Sequence, residues 1–231
     1  MFYLNPQYLL YMAPALVVML LAQWYVKSTY NKWGQVPARS QINGAEAAQR
    51  LKSAGGLHDV QIQQVQGELN DHYDPRKKTL KLSQGVFQGN SVASLAIAAH
   101  ELGHALQDKE GYIPLRFRSM LVPAVNVGST LGWILIMVGL LINATGLAWL
   151  GVFAFSGGAI FALATLPVEL NASARAKRLL SQSGIIQGER EKKGVNSVLN
   201  AAALTYVASL FTAVMQLLYW ISLVSGGGRR R

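Results

Sequence analysis

The residues best suited to chemistry are His100-Glu101-Leu102-Gly103-His104. Two histidines four positions apart on a helix present their imidazoles on one face from adjacent turns, so both can grip one Zn²⁺. Glu101 stands ~100° around the same helix. From there its carboxylate can reach the remaining coordination position, take a proton from an attacking water and pass it to a leaving amine. Neutral imidazoles keep the metal a strong Lewis acid, and Gly103 lets another element pack close to the metal helix. The chain has no cysteine, so any zinc site must be built from histidine and carboxylate. A lone buried histidine is usually structural; two at this spacing, flanking a glutamate, are harder to read that way.

A third protein ligand is needed if a water is to occupy the fourth position. His58, His72, Asp71, Asp74, Asp108, Glu110 and Glu169 are the candidates. Asp108 and Glu110 follow the motif too closely to fold back easily. His72 and Asp74 lie in Asp71-His72-Tyr73-Asp74-Pro75, which reads as a turn before a candidate strand at Thr79–Ser83 and could reach a cleft. Glu169 follows Pro167 and starts an Ala/Arg-rich helix reaching 181, but a glutamate there is also an ordinary solvated helix end. The residues alone leave the third ligand open.

The elements that must position these groups follow from composition and pattern. The chain is 51% hydrophobic and only 14% charged, against roughly 25% charged in soluble domains, and its mean hydropathy is +0.24. Four apolar blocks, 9–26, 120–142, 145–166 and 200–224, contain no Asp, Glu, Lys or Arg. Each approaches or exceeds the ~20 residues that cross a bilayer. The first eight residues carry no Lys or Arg, which favours a retained membrane helix over a cleaved export signal. Little more than Asn143 separates the middle two blocks, so they form an antiparallel hairpin. Gly128, Gly132, Gly139, Gly146, Gly157 and Gly158 suit close helix approach there. Between the blocks, 40–51 reads as a short amphipathic helix stopped by Gly55-Gly56, and 57–65 as a strand. The metal helix runs from 91 to 107 with Asn90 or Ser91 as its cap, ended by Gly111 and Pro114.

Charge sets the expected orientation. Region 27–119 carries 12 Lys/Arg and region 167–196 carries 6, so the positive-inside rule puts both in the cytoplasm. Arg229, Arg230 and Arg231 dissent. The net charge of +10 then reads as juxtamembrane lysine and arginine beside anionic lipid. A nucleic-acid partner is not expected, since no recognition framework accompanies the lysines. Arg116 and Arg118 read as membrane-surface anchors, and Arg175 and Arg178 as lipid-facing or paired with glutamate. A transporter should carry ionisable residues within its crossings, and these blocks have none. Intramembrane cleavage would need the motif inside an apolar block, whereas Gln84, Gln88, Asp108 and Lys109 border it.

The chain resembles the YugP-like neutral zinc metallopeptidases. The likeness rests on Asp71-His72-Tyr73-Asp74-Pro75, Leu82-Ser83, Ala98-Ala99-His100-Glu101-Leu102-Gly103-His104-Ala105-Leu106-Gln107 and Leu166-Pro167-Val168-Glu169-Leu170-Asn171-Ala172-Ser173. It is also similar to the larger HtpX-type membrane proteases, whose third zinc ligand is a Glu separated by two residues from an Ala-Asp pair. Glu169 precedes Ala172-Ser173 with that spacing, so the resemblance implies Glu169 as third ligand. Ser173 departs from the pattern: an Asp would orient a zinc histidine, whereas Ser does so weakly, leaving that partner unassigned.

The resemblance implies a gluzincin-like peptidase. The expected fold is a mainly α-helical integral membrane protein of about four crossings, with a small α+β zinc-peptidase domain at the membrane surface. Residues 1–27 form the first crossing, 28–119 the zinc-peptidase region, 120–166 the hairpin, 167–196 the helix with the third ligand, and 197–231 the last crossing and basic tail. The expected activity is zinc-dependent cleavage of membrane or membrane-proximal proteins at the cytoplasmic face of a bacterial membrane. Zn²⁺ is held by His100, His104 and Glu169, Glu101 is the base, and His72 donates to the oxyanion or binds the peptide. Thr79–Ser83 is expected as an exposed edge strand aligning the substrate. The rival is an inactive zinc-binding membrane scaffold, against which the retained Glu101 argues.

Overall fold

A computed structural model describes residues 6–68 and 70–227, so the arginines at 229–231 lie outside the described residues. The elements in chain order are α1 (Pro6–Gly34), α2 (Gly44–Ala54), β1 (Gln61–Val65), β2 (His72–Asp74), β3 (Thr79–Ser83), α3 (Gln84–Phe87), α4 (Val92–Lys109), α5 (Ile113–Leu141), α6 (Thr145–Gln182) and α7 (Gly188–Gly227). They divide into two compact units.

The first unit takes the described residues through Ala22, those of 116–167 and those from Thr205 on. α1, α5, α6 and α7 each contain a stretch long and apolar enough to cross a membrane, and only 11–22% of each such stretch is buried. Leu10, Leu141 and Phe153 turn outward, as side chains in contact with lipid must. α5 and α6 form the expected hairpin about a turn where Asn143 adopts φ 56°. A Cβ on Gly132 would meet Phe155 N at 2.7 Å, and one on Gly139 would meet Ala148 N at 2.5 Å. Gly128 also faces the partner helix closely, but Gly146, Gly157 and Gly158 have room to spare. Gly151, not singled out from sequence, completes the seam against Ile136 and Gly132. Tyr8 meets Tyr219 edge-on at 5.1 Å, and Gln7 Nε2 donates to Ser222 Oγ, tying α1 to α7.

The second unit comprises Gln23–Leu115 and Val168–Leu204. Asn43 caps α2 and closes a capping box with Glu46, which delays the helix to residue 44. The sheet order is β1-β3-β2, with β1 parallel and β2 antiparallel to β3. This corrects the expectation for Thr79–Ser83: it is the central strand, hydrogen-bonded on both sides, and cannot add a substrate strand. Leu80 and Leu82 are fully buried.

The edge positions belong to β1 and β2, and the sequence disguises β2 as a turn because Asp and Pro are poor strand formers. Two side chains hold it in place. Asp71 accepts from Ser83 N (2.8 Å) and Ser83 Oγ (3.0 Å), and Asp74 accepts from the N–H groups of Arg76 and Lys77. The turn itself begins only after Asp74.

Three helix boundaries also differ from expectation. Pro167 does not separate a crossing from a following helix, because α6 continues through it to Gln182. One missing backbone donor is tolerated within a long apolar helix. Pro114 likewise stands in the first turn of α5 rather than closing α4. α7 begins at Gly188, before its apolar block.

Candidate metal centre

α4 starts where Ser91 Oγ accepts from Ser94 N. Its alanines at 93, 96, 98 and 99 are fully buried in the second unit's core. That small face lets the helix sink until His100 and Glu101 are each only 9% exposed. Gly103 then allows α6 to approach: a Cβ there would collide with the carbonyl oxygen of Ala172. Glu169 lies one turn before Ala172 and is 2% exposed.

The close approach brings three donors together. Glu169 Oε2 lies 3.3 Å from His100 Nε2 and 3.3 Å from His104 Nε2, and the three ligand atoms fall within 4.8 Å of one another. Donors each ~2.0–2.1 Å from a tetrahedral zinc are separated by about 3.4 Å, so this donor set fits that ion in both chemistry and spacing. The imidazoles stand nearly perpendicular, at 85° with centroids 4.9 Å apart. Burial alone would lower the His104 pKa, but the hydrogen bond to Glu169 and the Glu101 and Glu169 charges outweigh it and leave it raised.

Glu101 is held from the sheet. Its Oε2 accepts from the Tyr73 backbone N–H at 3.1 Å, while the Tyr73 hydroxyl donates to Asp108 Oδ2 at 2.8 Å. One β2 residue therefore grips α4 at two points two turns apart. Burial and Asp108 push the Tyr73 phenol upward, keeping it a donor.

The other candidates lie elsewhere. His58 is exposed. His72 is exposed too, with Nδ1 2.8 Å from Asn70 O, and the three-donor cluster forms without it. Asp71 and Asp74 shape β2, Asp108 also pairs with Lys78, and Glu110 pairs with Arg175 at 2.7 Å. Among the described residues, only His100, His104 and Glu169 form such a group. Of the histidines' two partners, one was foreseen only as a weak orienter and the other escaped the sequence reading. Ser173 Oγ lies 3.2 Å from His100 Nδ1, so the serine does reach the ring despite departing from the HtpX pattern. Gln107 Oε1 lies 3.0 Å from His104 Nδ1; its place three residues on, on the same helix face, was the available signal.

Comparison with known proteins agrees with this geometry. Residues 8–225 match the family model described as "Putative neutral zinc metallopeptidase". The chain is 42% identical over 213 residues to the Bacillus subtilis (strain 168) protein described as "Putative membrane protease YugP", covering 92% of this chain and 94% of that one. No solved structure matches. Four apolar helices, a bacterial relative and a buried His/His/Glu cluster describe a bacterial membrane protein whose site suits peptide hydrolysis. The match along nearly the whole chain places it in the neutral zinc metallopeptidase family.

Proposed function

We propose that this protein is a zinc endopeptidase of the bacterial cytoplasmic membrane that cleaves membrane or membrane-proximal proteins at the cytoplasmic face. The observation that carries the reading is the buried group of His100 Nε2, His104 Nε2 and Glu169 Oε2 at a zinc-compatible spacing. His100, His104 and Glu169 would hold the ion. When bound, zinc supplies a Lewis acid that polarises the scissile carbonyl and acidifies a water.

Glu101 takes the proton of the attacking water and returns it to the leaving amine. The Tyr73 N–H on Oε2 orients that carboxylate and leaves Oε1 to carry the proton. The alignment role that sequence suggested for β3 passes to β2. The Tyr73 N–H points away from β3 toward Glu101, so its carbonyl faces the same free edge and can accept from an extended peptide. His72, on this strand, is a peptide-binding group outside the metal site. In this division of the chain, 28–119 and 167–196 supply the peptidase, while 1–27, 120–166 and 197–231 supply the membrane part. The 12 and 6 Lys/Arg of the two polar regions support a cytoplasmic orientation.

The test uses the full chain in detergent with a peptide library. Glu101→Gln should keep its zinc and lose cleavage by about 10²–10⁴-fold, the scale of a general base. Unimpaired cleavage by this variant would refute the mechanism; zinc binding by a wild type that cleaves nothing would favour the scaffold. Because the natural chain has no cysteine, Arg76→Cys offers a single thiol for topology. Labelling by an impermeant reagent only after cell lysis supports the cytoplasmic orientation, and labelling of intact spheroplasts overturns it.

A further inference from the structure

The amide of Gln107 sits fully buried beside His104, and its orientation is forced by a chain of donors and acceptors. Arg175 Nε can only donate, and it meets one terminal atom of the Asn171 amide at 2.7 Å. That atom must be the oxygen. The same Asn171 oxygen lies 3.0 Å from one terminal atom of Gln107, which must therefore be the nitrogen. Val168 O at 2.8 Å imposes the same choice, since a carbonyl only accepts. Both hydrogens of the Gln107 amide are thus committed, and its remaining atom, Oε1, can only accept. It faces His104 Nδ1 at 3.0 Å, so Nδ1 must carry a proton. The lone pair of the neutral ring then lies on Nε2, the atom turned toward Glu169.

Resting on the zinc reading above, we propose that Gln107 is a positioning residue. Locked by Val168, Asn171 and Arg175, it fixes His104 as the Nδ1–H tautomer and so makes Nε2 the metal-donating atom. Arg175 is itself braced: its Nη1 pairs with Glu110 at 2.7 Å, and its guanidinium lies 5.7 Å from the centroid of the Tyr112 ring. The line Glu110–Arg175–Asn171–Gln107–His104 crosses twice between α6 and α4 or the turn after it, so it holds the two ligand-bearing helices together as well as setting a proton. His100 differs. Its Nδ1 faces the Ser173 hydroxyl at 3.2 Å, which can donate or accept and leaves the tautomer free to adapt.

The experiment compares wild type, Gln107→Leu and Gln107→Glu as full chains in detergent, reading zinc affinity by competition with a chelator. Gln107→Leu should bind zinc about 10–100-fold more weakly, as outer partners of zinc histidines do. Gln107→Glu, held neutral by the two acceptor oxygens it faces, keeps an acceptor on Nδ1–H and one of the two donated hydrogen bonds, so it should recover part of that loss, which a merely space-filling role would not explain. Long-range ¹⁵N correlation spectra of the imidazoles should show His104 protonated at Nδ1 in wild type with and without zinc. Equal affinity in all three proteins, equal impairment of both variants, or a His104 bearing its proton on Nε2 alone would overturn the assignment. If Gln107→Leu does not fold, the wild-type spectrum and Gln107→Glu decide. A wild type that binds no zinc but shows Nδ1–H would defeat the peptidase reading while leaving the Gln107 lock standing.

Discussion

Gly103→Ala tests how the site is spaced, at a residue with no chemistry of its own. The new Cβ would stand 3.0 Å from Ala172 C and 3.2 Å from Ala172 Cα, and closer still to the carbonyl oxygen, where ordinary contact begins at 3.4 Å. Relief requires α4 and α6 to part by roughly 1 Å. Glu169 rides on the same stretch of α6, so its separation of 3.3 Å from each imidazole would open to about 4 Å, whereas metal sites tolerate deviations of only about 0.2 Å. Zinc affinity should fall at least about tenfold, and turnover by about 10²-fold, the scale of a 1 Å misplacement. Stability should fall by about 0–2 kcal/mol: crowding costs about 1–3 kcal/mol, of which alanine regains about 1 kcal/mol over glycine within a helix. The assay pairs a zinc titration with thermal unfolding of the chelated protein. A folded Gly103→Ala with wild-type zinc affinity would refute the idea that this close approach sets the donor spacing.

Other outcomes follow from the same geometry. Glu169→Gln removes the anionic donor; at a zinc concentration giving wild type about 2.7 kcal/mol of stabilisation, a hundredfold loss of affinity leaves about 0.4 kcal/mol, and an undiminished thermal shift would count against Glu169 as ligand. Tyr73→Phe loses the Asp108 hydrogen bond, costing about 1 kcal/mol, yet keeps the backbone N–H on Glu101, so cleavage should survive; a loss matching Glu101→Gln would mean the hydroxyl does more. His104 has a raised pKa in the metal-free protein, so its contribution to folding is full below the ordinary value of 6.5 and is lost as pH rises through the raised one. Zinc instead requires the neutral ring, so the rise in melting temperature on adding zinc should grow between about pH 6 and about pH 8, and a flat or falling difference would contradict this assignment. Asn43→Ala should cost about 1 kcal/mol through loss of the α2 cap without changing zinc affinity; a joint loss would link α2 to the site.

The sequence exposed the metal helix because one face of 91–107 repeats small apolar residues at helical spacing and ends in chemistry, and its Ser91 cap follows local rules. The apolar blocks were equally plain, since length and absence of charge suffice to mark them. The third donor was different. Nothing local to Glu169 distinguishes it from a solvated helix end; only its resemblance to known proteases, and then the contact at Gly103, single it out. β2 was hidden because tertiary bonds to Ser83 and Glu101, rather than strand propensity, hold it straight. The place of Thr79–Ser83 at the centre of the sheet was hidden likewise, because strand order is set by pairings with segments on both sides rather than by the strand's own residues. Gln107 stood within the motif but carried no signal of its amide's partners, since both acceptors lie more than 60 residues away.

The spread of donors along the chain also sets a clock. His104 leaves the ribosome 65 residues before Glu169 (169 − 104), and at about 5–20 residues per second that interval lasts roughly 3–13 s. Throughout it the nascent protein would hold two of the proposed zinc donors and the proposed base but not the third donor, and the stretch still to be made includes both arms of the apolar hairpin. A peptidase that depends on all three donors therefore cannot act on its own emerging chain, or on its neighbours at the translocon, until the hairpin has been synthesised. With Glu169 as the proposed third ligand, the late position of one glutamate would do the work that a removable propeptide does in secreted proteases.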